Sequence, residues 1–192
     1  LRRRPTEQYG DNQHQNEFNV QPQVIPDWLQ DWLQDRGGYL IGNIRTGRPD
    51  FRFYSLGNSL ASMFGLLTAP QQRALFRLVH HNRDHLMAQM PMRICHPPMG
   101  GVEWEHKTGS DPKNWPWSYH NGGHWPSLLW FFGSSILLHE RLHPNADVLL
   151  MSEMTTLLDE CYWSHLNQLP RQQWAEYFLS LIHISEPTRP YW

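Results

Sequence analysis

The chain has 192 residues, 40% of them apolar and 18% charged, enough for the core of one ordinary domain or of the larger part of a bigger one. Its 16 basic and 18 acidic residues leave a formal net charge of -2, which gives no electrostatic basis for a nucleic-acid or anionic-membrane partner. The two cysteines, Cys95 and Cys161, cannot build the disulfide framework of a small secreted domain and read as free thiols of a reducing compartment.

The basic run Arg2, Arg3 and Arg4 is short enough to be a solvated end. Leu1 is neither a methionine nor the start of an apolar signal region, so the chain reads as beginning inside a longer frame, with any targeting region absent. Residues 1–23 are polar and lack a sustained apolar period, which predicts extended or loop structure. After Pro26, the spacing of Trp28, Leu29, Trp32 and Leu33 predicts a short amphipathic helix over 27–34, ended by Gly37 and Gly38. Two β-prone runs, 39–42 and 51–54, flank a turn-rich segment and predict extended strands or a small hairpin on a helical frame. Helical spacing follows over 59–67, with Asn58 as a candidate cap. Thr68 and Gln71 form a capping box, with Pro70 in the first turn of a helix expected to reach about residue 90. Leu75, Leu78, Val79, Leu86 and Met90 share its apolar face.

Residues 91–124 are too rich in proline and glycine for a continuous helix and read as a long ordered loop. Pro126 restarts a helix to about 142 that is apolar nearly all round, hence expected to be central and buried; its apolar stretch falls short of the ~20 residues of a membrane span. Pro144 opens another helix, with Leu150, Met154, Leu157, Leu158, Cys161 and Tyr162 on one stripe. No fixed-period repeat is evident, so the expected fold class is all-α, helices in antiparallel pairs forming part of a toroid whose rim loops hold the site.

The chain carries 10 tryptophans, 7 tyrosines and 8 phenylalanines, which serve either as core or as platforms for sugar rings. They are densest over residues 108–126, where Asp111, Asn114, His120 and Asn121 can each fix a hydroxyl while Trp115, Trp117, Tyr119 and Trp125 cover a ring face. The alternative, that the rings pack the loop and the polar groups satisfy its own backbone, is equally supported by residue chemistry alone. His80, His81 and His85 share a helix at a spacing unusual for metal ligands, and no HExxH or His-plus-CxxC cluster occurs. No GxSxG serine motif occurs, and neither cysteine has a local activating motif. Carboxylates remain: Asp50, Glu103, Glu105, Asp111 and Glu176 lie near aromatics or loops, and glycoside cleavage needs two carboxyl groups facing each other across the bond.

The stretches Gly37-Gly38-Tyr39-Leu40-Ile41-Gly42-Asn43, Asp50-Phe51-Arg52-Phe53-Tyr54-Ser55-Leu56-Gly57-Asn58, Met90-Pro91 with Ile94-Cys95, residues 108–114 and 116–123, and Trp125-Pro126 together resemble the neutral/alkaline invertases, glycoside hydrolases that cut sucrose. The resemblance covers about residues 6–177. It implies an incomplete (α/α)6 toroid with short strands or hairpins in its loops, and no cofactor. It also implies a cytoplasmic or organellar setting and inverting hydrolysis of sucrose to glucose and fructose on the glucosyl side, a β-fructofuranosidase-type activity. Trp174-Ala175-Glu176-Tyr177-Phe178 is similar to the family's late Trp-Pro-Glu-Tyr-Tyr-Asp-Gly motif, with Ala175 for proline and Phe178 for the second tyrosine. Glu176 then matches the catalytic base, while the family's acid, an Asp of the first half of the domain, has no counterpart in this chain. Arg52, Asn58, Asp111, Trp117, Tyr119, His120, Asn121 and Trp125 are expected to orient the sugars, Arg52 either bonding hydroxyls, holding Glu176 ionised, or forming only a structural ion pair.

Residues 1–178 are accordingly expected to be the C-terminal part of one catalytic domain lacking its N-terminal part and closing helices, inactive alone, from a homo-oligomeric parent. Residues 179–192 resemble sequencing-adapter read-through and are expected to be a non-native tail. Two other readings stand: a different sugar-active toroid such as an epimerase, working through a His120 and His124 pair, and a non-catalytic carbohydrate-binding protein.

Overall fold

The computed structural model of the chain describes residues 25–34, 37–42, 49–87 and 90–179, so the expectations for residues 1–24, for the turn over 43–48 and for 180–192 fall outside the described residues. Seven α-helices and one two-stranded sheet stand among those described, the all-α class read from the sequence. Helix α1 (Trp28–Leu33) buries Leu29 and Trp32, the residues its spacing put on one face. Gly37 then has φ 122, and a Cβ there would lie 2.1 Å from the carbonyl oxygen of Ala74, the same oxygen that accepts from Gly38 N at 3.0 Å. The chain turns this tightly against the next layer only because the residue has no side chain.

The two β-prone runs meet through a single bridge, Ile41 to Phe53. The regular partner of strand β1 (Phe53–Tyr54) is instead β2 (Cys95–His96), antiparallel with Phe53 opposite His96 and Tyr54 opposite Cys95, inside the region read as loop. Helix α2 (Ser55–Met63) follows β1 directly, four residues ahead of its predicted start. Asn58 is therefore not a cap. It lies within α2, and its amide pairs both backbone groups of Leu40: Leu40 N donates to Oδ1 at 2.8 Å and Nδ2 donates to Leu40 O at 3.1 Å.

Helix α3 (Ala69–His81) opens on the predicted capping box, Thr68 N donating to the Gln71 side chain at 2.9 Å. It stops well short of residue 90. The Asn82 side chain donates to Leu78 O at 3.0 Å in competition with the helical ladder, and a four-residue α4 (Arg83–Leu86) follows. Leu75, Leu78, Val79 and Leu86 are nonetheless all buried, so the predicted face survives the break. The predicted loop also contains helix α5 (Gly101–Thr108), ended by Gly109 at φ 64.

Helix α6 (Pro126–Leu142) has the predicted bounds but not the predicted burial. Leu128, Leu129, Phe132 and Ile136 face the core, against α2 and α7 (Val148–Gln168), whereas Trp130 and Leu137 are 46% and 53% exposed. Gly133 admits the Leu158 side chain of α7, whose Cδ1 would lie 2.8 Å from an added Cβ. Tyr162 turns out of the α7 stripe and is exposed, while Leu150, Met154, Leu157, Leu158 and Cys161 are buried.

These contacts separate two glycines of the resemblance by their cost of substitution. Gly37→Ala meets backbone in a left-handed conformation and is expected to lose about 2–4 kcal/mol of stability in urea unfolding. Gly57→Ala, within α2 and with open space around it, is expected to gain about 0.5–1 kcal/mol.

Candidate functional site

The long loop is built on its own polar side chains. Asp111 accepts from Lys113 N at 3.0 Å and from Asn114 Nδ2 at 2.7 Å, holding a 3-10 turn over Pro112–Asn114. A tight hairpin follows, with Trp117 N donating to Asn121 O and Asn121 N to Ser118 O, both at 2.8 Å. It puts Trp117 at φ 73 and Tyr119 at φ 40, conformations that cost a non-glycine residue about 1–3 kcal/mol each and that gather at functional loops. Asn121 is fully buried; its Nδ2 donates to Met99 O and Asn114 O at 2.9 and 3.0 Å, and its Oδ1 accepts from Met99 N at 2.6 Å. Asp111 and Asn121, both predicted to hold sugar hydroxyls, thus direct these bonds into the loop itself.

With its backbone satisfied, the loop presents rings. Tyr119 stacks on His120 at 3.9 Å, His120 on Trp125 at 5.2 Å, and Trp125 on Tyr177 at 5.7 Å, while Trp125 Nε1 donates to Tyr119 O at 3.1 Å. Tyr177 reaches this stack because its neighbour Phe178 forms an antiparallel bridge with His124: His124 N donates to Phe178 O at 2.9 Å and Phe178 N to His124 O at 2.8 Å. Glu176 is exposed, two residues from that bridge. The structure therefore brings Tyr119, His120 and Trp125 together with Tyr177, and Glu176 stands exposed next to Tyr177 in the chain.

Trp117 joins through a residue the sequence reading missed. Arg93 is fully buried; its guanidinium lies 4.6 Å from the Trp117 ring centroid, with NH1 3.1 Å from His96 Nδ1 and NH2 3.2 Å from His124 Nε2. Its backbone bridges His124, and Ile94 N donates to Gly123 O at 2.9 Å. The available signal was a lone arginine inside the apolar run Met90 to Cys95. Burial pushes Arg93 down to about 10, so it stays charged at neutral pH. Burial first, and the Arg93 charge second, push His96 and His124 each down to about 3.

Arg52 belongs to a second cluster. Its guanidinium bonds Asp50 at 3.0 and 3.2 Å and Glu103 through both terminal nitrogens; Tyr54 OH donates to Asp50 at 2.6 Å and Lys107 Nζ to Glu103 at 2.6 Å. Burial opposes ionisation of Asp50, but the Tyr54 and Arg52 bonds outweigh it and hold the carboxyl below its usual range. The same balance, with Arg52 and Lys107 as partners, holds Glu103 down. Arg52 therefore pairs with Asp50 and Glu103, and Glu176 is not among these partners. The cluster lies one strand step from the loop, since Tyr54 opposes Cys95 and Cys95 Sγ is 3.7 Å from His120 O. Asn58 stays apart, on Leu40. Among the described residues no three His, Cys, Asp or Glu side chains converge as a metal site.

The family profile described as alkaline and neutral invertase matches residues 1–181. The chain is 48% identical over 117 residues to neutral/alkaline invertase 1, mitochondrial, of Oryza sativa subsp. japonica, covering 61% of this chain and 19% of that protein. It is 39% identical over 163 residues to alkaline/neutral invertase C, mitochondrial, of Arabidopsis thaliana, covering 85% of this chain and 23% of that protein. With alkaline/neutral invertase E, chloroplastic, of Arabidopsis thaliana it shares 48% over 115 residues, 60% of this chain and 19% of the relative. The chain thus spans about a fifth of the length of the curated relatives it matches.

The buried imidazoles give stability a pH dependence of definite sign. Their folded pKa values lie below the ordinary 6.5, so between about 6.5 and 3 the unfolded state binds protons that the folded state does not. The stability they confer is complete above pH 6.5 and is lost as pH falls through that window, at about 1.4 kcal/mol per pH unit for each histidine. Asp50 and Glu103 add acid sensitivity only below about pH 4, where their unfolded forms protonate. Urea unfolding from pH 7 to 4.5 is expected to show the histidine slope, to which His165 and His139, also held down by burial, add, and His124→Gln to reduce it; a flat profile would contradict neutral His96 and His124.

Proposed function

Because the chain belongs to the family of alkaline and neutral invertases, which are glycoside hydrolases, we propose that the protein carrying it hydrolyses sucrose to glucose and fructose, inverting at the glucosyl carbon, with Glu176 as base. The Glu176 carboxylate takes a proton from a water that attacks the anomeric carbon, while an acid outside this chain protonates the departing fructosyl oxygen. No cofactor enters such a reaction. The observation that supports the reading is the His124 to Phe178 bridge, which ties the chain just after the exposed Glu176 to the segment whose Tyr119, His120 and Trp125 stack with Tyr177. Rings of this kind cover the apolar face of a pyranose, and a carboxylate at their edge meets its anomeric end.

Arg52 with Asp50 and Glu103 would hydrogen-bond hydroxyls at the edge of that platform, while Asp111, Asn121, Asn58 and Trp117 hold the shape of the rim. Helices α6 and α7 would be one hairpin of an (α/α)6 toroid, in a protein that is a homo-oligomer of the cytoplasm or of an organelle. Relatives named mitochondrial and chloroplastic support the organellar setting, and the buried cysteines Cys95 and Cys161, not joined by a disulfide, fit any reducing compartment. Residues 1–178 would be inactive alone and residues 179–192 non-native.

The epimerase reading requires His124 as an acid or base, but its Nδ1 is 2.5 Å from Pro91 O and its Nε2 lies against Arg93, so both ring nitrogens are occupied. A chimera settles the choice: residues 1–178 replace the matching segment of the rice mitochondrial relative, and glucose release from sucrose is followed. Glu176→Gln is expected to cut kcat about 1,000-fold or more, while His120→Ala raises KM roughly tenfold and keeps most of kcat. Retained hydrolysis in Glu176→Gln rejects the assignment of the base, and sucrose binding without glucose release by the unmutated chimera favours a carbohydrate-binding protein.

A further inference from the structure

We propose that Arg93 is a positioning residue for this reaction: it fixes His124, and through the bridge from His124 to Phe178 it sets the register of Glu176 against Tyr119 and Trp125. The inference rests on the reading of Glu176 as the base.

Arg93 reaches three separate segments at once. Its backbone N–H donates to Leu86 O at 2.7 Å, its carbonyl accepts from Ser55 Oγ at the start of α2, and its side chain forks to His96, His124 and the Trp117 ring. His124 is clamped on both sides, its Nδ1 donating to Pro91 O at 2.5 Å and its Nε2 facing Arg93 NH2. A ring so held cannot turn, and its own backbone is the one that pairs with Phe178. Beyond that bridge Tyr177 packs on Trp125 and Tyr119, and the exposed Glu176 follows. The placement of the backbone that carries Glu176, next to Tyr177 on the stack, therefore passes through the segment that the Arg93 to His124 contact holds.

Packing alone does not call for a guanidinium in this place. Taking a full charge out of water is expensive, and apolar side chains of similar volume often fill such sites at no loss of stability. What an arginine adds is a planar fork that meets two acceptors at fixed angles while its face rests on an indole. A lysine supplies the charge but not the fork, which makes it the informative conservative change.

The other titratable groups around the imidazoles are few. The His85 ring is 5.1 Å from that of His96, and the Cys95 thiol beside Arg93 is pushed up to about 12 by burial and stays uncharged. Arg52 and Asp50 act on the Cys95 thiol, not on the two imidazoles. Arg93 is the charge in direct contact with His124, so removing it raises the pH at which that ring takes up a proton.

The test uses the same chimera, with Arg93→Lys, Arg93→Met and Glu176→Gln compared for kcat, KM, melting temperature and the pH profile of kcat. Arg93→Met is expected to lower kcat about 10- to 100-fold, the cost of misplacing a catalytic group by about 1 Å, with KM within about threefold. Loss of activity at low pH is expected to set in at higher pH, because His124 without the Arg93 charge takes up a proton more readily, which a merely structural residue would not cause. Arg93→Lys should recover part of kcat and leave melting near that of the parent. Parental kcat and pH profile in both Arg93 variants overturn the proposal, as does failure of both to fold, which would assign Arg93 to folding alone. The two ideas fail separately: an inactive Glu176→Gln beside fully active Arg93 variants rejects only the positioning role, whereas an active Glu176→Gln rejects the base.

Discussion

Buried backbone must be paired, and the segment 91–96 meets this demand by drawing the site together. Pro91, Met92, Arg93 and Cys95 are buried, so their amides and carbonyls have little access to water. Partners arrive from both sides: Ser55 N donates to Ile94 O and β1 pairs with β2 on one edge, while Trp125 N donates to Met92 O and Ile94 N to Gly123 O on the other. The first set fixes where α2 begins and the second where α6 begins. Because Phe178 adds itself to the far side of His124, three pieces of chain distant in sequence become neighbours across a few hydrogen bonds.

The loop over 109–125 shows how polar and aromatic residues divide the labour. Asn121 satisfies Met99 and Asn114 backbone groups, and Asp111 closes the 3-10 turn, so neither backbone nor amide there competes for a ligand. The rings form a stack seated on the core, with Trp125 buried, Tyr119 and Tyr177 half-buried and His120 exposed. Of the two uses posed by residue chemistry, packing is the one seen: the polar residues bond the loop's own backbone, and Trp125 joins the core with Tyr119 and Tyr177 packed against it.

Legibility in the sequence followed the range of the interaction concerned. Helix faces were legible because the period of Leu75, Leu78, Val79 and Leu86 persists through a local break, and starts at Thr68 and Pro126 because caps act within one turn. The break at Asn82, the strand partner at Cys95 and the fork of Arg93 were not, since each depends on what the side chain or backbone meets elsewhere. Asn58 is instructive: its place beside a predicted helix suggested a cap, while its partner Leu40 lies 18 positions back. Several motif residues that carry the resemblance prove to be fasteners of this kind, Gly37 under Ala74, Asn58 on Leu40 and Asn121 on Met99. The family match thus rests in part on residues that hold its loops in place.

Helix α6 carries the same logic outward. Its sequence is apolar on nearly every side, a pattern that belongs to helices covered all round, yet among the described residues only one face is packed. Trp130, Phe131, Leu137 and Leu142 are exposed there, as is Trp163 on α7. A second layer of helices, such as the toroid reading requires, would cover them, and matched relatives about five times as long as the aligned segment have the chain to supply it. Covering that face would not disturb the site, because the bridge to Phe178 and the ring stack depend on contacts at the N-terminal end of α6, where Trp125 and Pro126 are already buried. The ring stack and the open apolar face are therefore separate features of one helix, the first at its N-terminal end and the second along its exposed side.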